Sequence, residues 1–511
     1  MFWILLSTGL VLFIHFILIK PFTRWSKRDI PQSSVWFFWK RILKGFVNGK
    51  TFAEQFQDLY NNYTNQRYVG IYQFHMPSLL LLDPELIKQI TVKDFDHFVD
   101  HNQLIVEEPL WKKNLVALKG EQWREMRTTL SPSFTSSKMK MMFGLMCECA
   151  QQFVDHFLKK GEETITLEMK ETFSRYTNDV IASVGFGIKC DSLKDPENEF
   201  YVKGRSAINF VGIKFILIAF FPRIANLFNL TIFSEEVSYF FRKVVKDTLE
   251  HREREGTVRL DMMHLLIQAR KGKLKDEGSN VEFSAEEAER YSKLTDEDIT
   301  AQALVFFLAG FESVASGMSF LAYELALNPD IQKQLQEEID ETINSQGSVT
   351  YDSLMKMKYL DMVLSESLRK WPITVVTDRL CVKPYTIEPT QPGEKPIHIK
   401  EGDLMAIPIY AMQRDPRFYP DPDRFNPERF SPENKSSINP YTYLTFGIGP
   451  RSCIGNRFAI LEIKTLIFYV LSKFDIVTVD KTAIPLQIGN NVVNLTAKGG
   501  FWLGLKPRVS A

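Results

Sequence analysis

The chain has 511 residues, 45% of them hydrophobic and 24% charged, a composition that excludes a disordered or fibrous protein. Its 62 basic and 62 acidic residues balance to a formal charge of +0, so there is no basic excess for tracking phosphates and no nucleic-acid partner is expected. Five cysteines, at 147, 149, 190, 381 and 453, are odd in number and lack paired spacing, which argues against a disulfide framework and for thiols in a reducing compartment.

Residues 2–19 read FWILLSTGLVLFIHFILI, without a formal charge, and as a helix would extend about 27 Å, enough for a thin bilayer. Lys20, Arg24, Lys27 and Arg28 follow, and no basic side chain precedes the run. By the positive-inside rule the rest of the chain lies in the cytosol. Without a basic leading region or a small-x-small cleavage site, a retained membrane anchor is expected over a cleaved signal. Residues 20–40 then form a basic linker, and 41–511 a single large domain, because no repeat or Gly/Ser tract divides them. The sequons at Asn62, Asn229, Asn434 and Asn494 are idle in the cytosol.

Helical patterns dominate this body, and strand-like runs are short, at 69–74, 78–82, 385–387, 397–399 and 475–479. The expected class is mainly α with small β-sheets (α+β). Cys147 and Cys149 lie in an apolar helical run with no histidine nearby and read as core. The apolar stretch 208–233 is broken by Lys214, Pro222 and Arg223, so two short helices are expected, either core or a segment at the membrane surface. A long helix opens at Thr295 and Asp298 and runs to Asn328 and Pro329, on the order of 45 Å. It is apolar nearly all round and therefore belongs in the middle of the domain. Its centre nevertheless carries Glu312 and Ser313 beside Ala309 and Gly310. A buried carboxylate without partners is costly, so this pair joins a network or works in a cavity. The plainer alternative for Ser313 is a bond to the carbonyl one turn earlier. Glu366 and Arg369, three apart on one helical face, suit a local ion pair.

Residues 446–455 read FGIGPRSCIG. A thiolate at Cys453 needs positive or hydrogen-bonding surroundings to stay ionised, and glycines beside it let the backbone approach a flat ring closely. Arg451 is placed to meet an acidic group of such a ring, and the helix from about Ile454 turns its positive end to the sulfur.

With these residues the chain resembles the cytochrome P450 superfamily over nearly its whole length. It is most similar to microsomal insect detoxifying enzymes, with the vertebrate family-three drug oxidisers further off; LSPSFTSSKMKMM at 130–142 and AGFES at 309–313 carry much of that likeness. The resemblance implies the cytochrome P450 fold, with the long central helix over a haem b whose iron takes Cys453 as axial ligand. It implies that Phe446, Gly449, Arg451 and Gly455 hold the haem from the cysteine loop. Trp123 and Arg127 of a W-x-x-x-R pattern, and Arg379, would reach the propionates. Ala309 would touch haem and substrate, with Leu308, Ser313 and Thr374 in the substrate pocket. Glu312 and Ser313 would be catalytic, holding water and relaying protons. Glu366, Arg369 and Arg429 of PERF would form a structural triad.

The implied reaction inserts one atom of dioxygen into lipophilic small molecules, toxins or insecticides first, with electrons from NADPH through NADPH-cytochrome P450 reductase and cytochrome b5. The implied place is the endoplasmic reticulum membrane, among its lipids, on the cytosolic side. The alternatives are hormone or lipid biosynthesis, a reductase-independent haem-thiolate isomerase, or a haem-binding membrane protein without turnover. Substrate walls are expected around 101–118, 208–221, 305–313, 373–377 and 489–493. Two features depart from the family pattern: Ser313 stands where threonine is usual, and only Pro21 and Pro31 stand where a proline-rich hinge is common. Serine lacks the methyl group that restricts a threonine rotamer, so poorer coupling of NADPH to product is expected.

Overall fold

The structure, a computed structural model, describes residues 24–28, 30–33, 50–73, 76–102, 108–208, 214, 217–218, 222–256, 259, 261–270, 294–390, 393–489, 491 and 494–508. The expected anchor at 2–19 and most of the 208–221 wall lie outside the described residues.

The longer helices are α1 (Phe52–Asn61), α2 (Gly120–Leu130), α3 (Ser136–Leu158), α4 (Met169–Ile181), α5 (Glu199–Ala207), α6 (Glu235–Glu255), α7 (Met262–Arg270), α8 (Asp296–Leu327), α9 (Pro329–Gln346), α10 (Lys358–Lys370) and α11 (Asn456–Lys473). Helix α8 begins and ends where its sequence signals lie. Thr295 and Asp298 cap each other reciprocally, the Asp298 amide donating to Thr295 Oγ1 at 3.2 Å and the Thr295 amide to the Asp298 carboxylate at 2.9 Å. At the other end Asn328 caps and Pro329 starts α9. Phe307, Phe311, Phe320 and Leu321 are buried along it, which makes α8 the axis of the core. Helix α4 is tied to it by Thr177, whose hydroxyl donates to the Phe311 carbonyl at 3.0 Å.

The strands are β1 (Tyr68–Gln73), β2 (Met76–Leu81), β3 (Ile165–Glu168), β4 (Thr377–Leu380), β5 (Tyr385–Ile387), β6 (Ile397–Ile399), β7 (Leu404–Ile407), β8 (Phe474–Val477) and β9 (Trp502–Pro507). They form a four-stranded sheet in the order β1-β2-β7-β4, a three-stranded sheet β3-β9-β8, and the pair β5-β6. In the largest sheet β2 and β7 run parallel while the other pairs are antiparallel, and Arg379 stands opposite Met405. Strands β3, β4, β7 and β9 escape sequence reading because they are short and show no clean alternation.

The expected linker behaves differently from a free tether over its described residues. Trp25 is fully buried, and its indole Nε1 donates to the Ile71 carbonyl at 3.2 Å. A Cβ on Gly70 would lie 2.6 Å from the Trp25 ring, so only glycine admits this contact.

Candidate functional site

A cavity of about 500 Å³ lies between α8 and the segment around Cys453. Cys453 opens onto it, whereas the other four cysteines are buried or half-buried. The loop before Cys453 is closed by its own amides: Cys453 N–H donates to the Phe446 carbonyl at 2.8 Å and Ser452 N–H to the Gly449 carbonyl at 2.9 Å. Gly449 has φ +74, and a Cβ there would meet the Thr91 carbonyl oxygen at 2.0 Å. The loop therefore sits tightly on the π-helical turn Gln89–Lys93. Burial pushes the Cys453 thiol up, while a hydrogen bond from the Gly455 backbone and the nearby Arg127 pull it down. Cys190 and Cys381, by contrast, are pushed by burial to about 12 and about 11, with no cation among the described residues to offset it. They are thiols at neutral pH.

Three arginines face the same cavity. Arg451 donates through Nε to the Val99 carbonyl at 2.8 Å and through Nη2 to the Leu118 carbonyl at 2.9 Å, and its guanidinium lies 3.9 Å from the Trp123 ring centre. Its carboxylate partner Asp100 is 3.4 Å away. Arg379 donates to the Asp378 and Ile448 carbonyls, while its buried Nε has no hydrogen-bond partner among the described residues. Arg127 donates to the Ser452 carbonyl at 2.9 Å. Burial pushes Arg451 down to about 9 and Arg379 to about 10, and lowers Arg127 as well. Asp378 is shared with His101, at 2.9 Å, and with the Asn102 amide. The arginines are thus crowded, desolvated and incompletely neutralised.

The rest of the lining is mostly apolar, including Phe306, Val314, Ile373 and Leu368, with Ala309, Ser313 and Thr374 among them. Trp123, Phe446 and Gly455 also line the cavity. Leu308 and Glu312 lie outside that lining. Leu308 packs against the core instead of lining the cavity, because it projects from another face of α8 than Ala309. Glu312 is outside the lining too. Its carboxylate is 2.8 Å from Lys170 Nζ of α4, which also lies 3.4 Å from Thr496 Oγ1. Ser313 Oγ donates to the Ala309 carbonyl, the plainer arrangement for a hydroxyl within a helix.

Behind the loop, Glu366 and Arg369 form a fully buried bidentate pair at 2.7 and 2.9 Å, and Arg429 approaches Glu366 at 3.4 Å. Arg369 also donates to the carbonyls of Gln413 and Pro422. Gln413 extends this network: its amide NH₂ donates to the Leu368 and Arg369 carbonyls, and its oxygen accepts from the Leu444 amide at 2.7 Å. It thereby links the end of α10 to the start of the cysteine loop. Gln413 and Lys170 had no signal in sequence, since each lies far along the chain from what it holds.

A loop that offers one cysteine to a cavity ringed by underneutralised arginines defines a site for a flat, acidic, metal-bearing ring. The cytochrome P450 family model matches residues 30–503, and the chain belongs to the cytochrome P450 family. It is similar to cytochrome P450 9e2 of Blattella germanica, 44% identical over 506 residues that cover 95% of this chain and 94% of the relative. Cytochrome P450 9b1 of Drosophila melanogaster is 39% identical over 90% of this chain and 89% of its own length. Cytochrome P450 6k1 of Blattella germanica is 36% identical over 94% and 92%. The family is one of monooxygenases, and its cofactor is haem b.

The residues present fit that cofactor. Its two propionates would supply the negative charge that Arg127, Arg379 and Arg451 lack, with a partner for the orphaned Arg379 Nε. The apolar lining suits a porphyrin face, and the tight packing of Gly449 holds the loop where a ring can approach.

Proposed function

We propose that this protein is a membrane-anchored, haem-thiolate monooxygenase of lipophilic foreign compounds, in which Cys453 would ligate the haem iron. The observation that carries the reading is the meeting of Cys453 with the buried arginines Arg379 and Arg451 at one cavity. Bound there, haem would supply dioxygen activation, with Cys453 as its thiolate ligand. Arg127, Arg379 and Arg451 would hold and orient the ring through its propionates, and the Trp123 ring is stacked on Arg451. Glu366, Arg369 and Arg429 keep the cysteine loop in place and take no part in the chemistry.

Phe306, Ile373 and Val314 exclude water and favour apolar substrates, with Ala309 and Thr374 beside them. Proton delivery falls to Glu312 and Ser313. It requires the Glu312 carboxylate to leave Lys170 and Ser313 Oγ to turn from the Ala309 carbonyl towards the cavity. Electrons come from NADPH through NADPH-cytochrome P450 reductase, with cytochrome b5 as a second donor. Residues 2–19 anchor the chain in the endoplasmic reticulum membrane, leaving the domain from residue 41 onward in the cytosol.

The test is the carbon monoxide difference spectrum of the reduced protein. The parent shows the red-shifted band of a thiolate-ligated carbonyl complex, and Cys453→Ala loses it. A well-folded parent that binds no haem overturns the reading. Turnover of a lipophilic panel with reductase and NADPH then separates foreign compounds from endogenous lipids; turnover confined to a single hormone-like lipid favours the biosynthetic alternative.

A further inference from the structure

We propose that Asn494 and Thr374 form a polar anchor that selects neutral lipophilic amides as substrates, holding the carboxamide while the apolar remainder of the molecule fills the cavity. This deepens the reading of the cavity as a monooxygenase substrate site and rests on it.

Charge on the lining narrows the ligand first. Among the described residues that line the cavity there is no aspartate or glutamate, and Arg127, Arg379 and Arg451 are the cations that the haem propionates would neutralise. The remaining basic side chain, His101, is already paired with Asp378 at 2.9 Å. A cationic amine finds no counter-charge there, and a carboxylate no cation to spare, so a neutral molecule is favoured.

The hydroxyl and amide groups outside the cysteine loop narrow it further. Ser313 Oγ is engaged by the Ala309 carbonyl, and Thr445 Oγ1 donates to the Leu368 carbonyl at 2.9 Å. Thr377 shares a face of β4 with Arg379, two residues on, and so belongs with the arginines. Thr374 and Asn494 are left. Both line the cavity, and neither side chain makes a hydrogen bond to a described residue. The lining they share is otherwise apolar, with Phe306, Val314 and Leu368.

The two side chains stand on fixed and adjoining backbone. The Leu495 amide donates to the Ile373 carbonyl at 2.8 Å, so Asn494 and Thr374 flank one backbone contact. The Asn494 amide donates to Asn491 Oδ1 at 3.3 Å, and the Val375 carbonyl accepts from the Tyr410 amide at 3.1 Å. Side chains held in this way lose little freedom when a ligand arrives. The Asn494 side chain offers N–H donors and a carbonyl acceptor side by side. A substrate carboxamide carries the same pair, and two antiparallel bonds satisfy both; the Thr374 hydroxyl supplies a donor for the second lone pair of the substrate carbonyl. A molecule without the N–H displaces water from these groups and leaves the Asn494 acceptor unpaired, which costs affinity.

The test is calorimetric titration of the full haem-loaded chain with two probes of one shape, octanamide and heptyl methyl ketone, in which a methyl group replaces the amide nitrogen. The ketone is the more apolar, so a cavity that recognises only apolar surface binds it more tightly. The parent is expected to bind octanamide at least as tightly as the ketone. Asn494→Leu is expected to lower the ratio of amide to ketone affinity about tenfold, for two neutral hydrogen bonds, and Thr374→Val about threefold, for one. The carbon monoxide band of each variant checks that it is folded and holds haem. A ratio unchanged in either folded variant, or a parent that favours the ketone, overturns the anchor. A parent that takes up no haem overturns the monooxygenase reading, whereas a haem-loaded parent that binds neither probe overturns the anchor alone.

Discussion

At the scale of single residues, Glu462 sets burial most openly against charge. It is fully buried in α11, neither carboxylate oxygen has a hydrogen-bond partner among the described residues, and burial pushes it well above the ordinary carboxylate range. Because its folded-state pKa is raised, the stability it permits is complete below the unfolded value of about 4.5 and declines as pH rises above that. Glu462→Gln is therefore expected to match the parent near pH 4.5 and to gain over it at up to about 1.4 kcal/mol per pH unit above. Thermal unfolding of both proteins from pH 5 to 8 reads this directly, and a constant difference in Tm refutes it. Ser313 poses a subtler question, since its hydroxyl rests on the Ala309 carbonyl. A threonine methyl narrows the rotamers by roughly 0.5 kcal/mol, about a twofold effect. Ser313→Thr is expected to release that much less peroxide per NADPH; equal or greater release from the variant contradicts the relay.

At the scale of elements, the joint between α4 and α8 is the point where sequence reading and structure part. Capping at Thr295 and termination at Asn328 are local interactions, so the span of α8 was legible from its own residues. Lys170 is 142 positions from Glu312, and only packing of the two helices brings them together. The pair is about one-fifth exposed on each side. An ion pair of that exposure is worth about 1 kcal/mol, or roughly fivefold in the population of released Glu312. Lys170→Met is accordingly expected to change the coupling of NADPH to product by about fivefold. Lys170→Arg, which keeps the charge, is expected to restore most of it. If Glu312 relays protons as proposed, Glu312→Gln is expected to lower turnover on the order of 100-fold. If Lys170→Met lowers Tm but leaves both coupling and the solvent isotope effect unchanged, its role is purely structural. Strands β4 and β7 belong to the same lesson: each is four residues long and is held by neighbours remote in sequence.

At the scale of the whole molecule, folding and cofactor binding are linked through the arginines. Arg379 is buried, lowered by burial to about 10, and has one nitrogen without a hydrogen-bond partner among the described residues. Such a group destabilises the haem-free fold and strengthens the haem-bound one. Arg379→Met is expected to raise Tm of the apoprotein while speeding haem transfer to apomyoglobin by about tenfold or more, as loss of a hydrogen bond to a charged group implies. A variant in which both quantities fall assigns Arg379 to the fold alone. The closing hydrogen bonds of the cysteine loop, the two ends of α8 and the pairing of Glu366 with Arg369 were determined by the sequence itself, because each depends on residues within a few positions of one another. Only the tertiary structure decided that Leu308 turns to the core, that Glu312 is held by Lys170, that Gln413 ties α10 to the cysteine loop, and that Trp25 is locked under the sheet. Those contacts join segments tens to hundreds of residues apart, and their energy comes from burial and charge pairing that exist only once the chain has closed on itself.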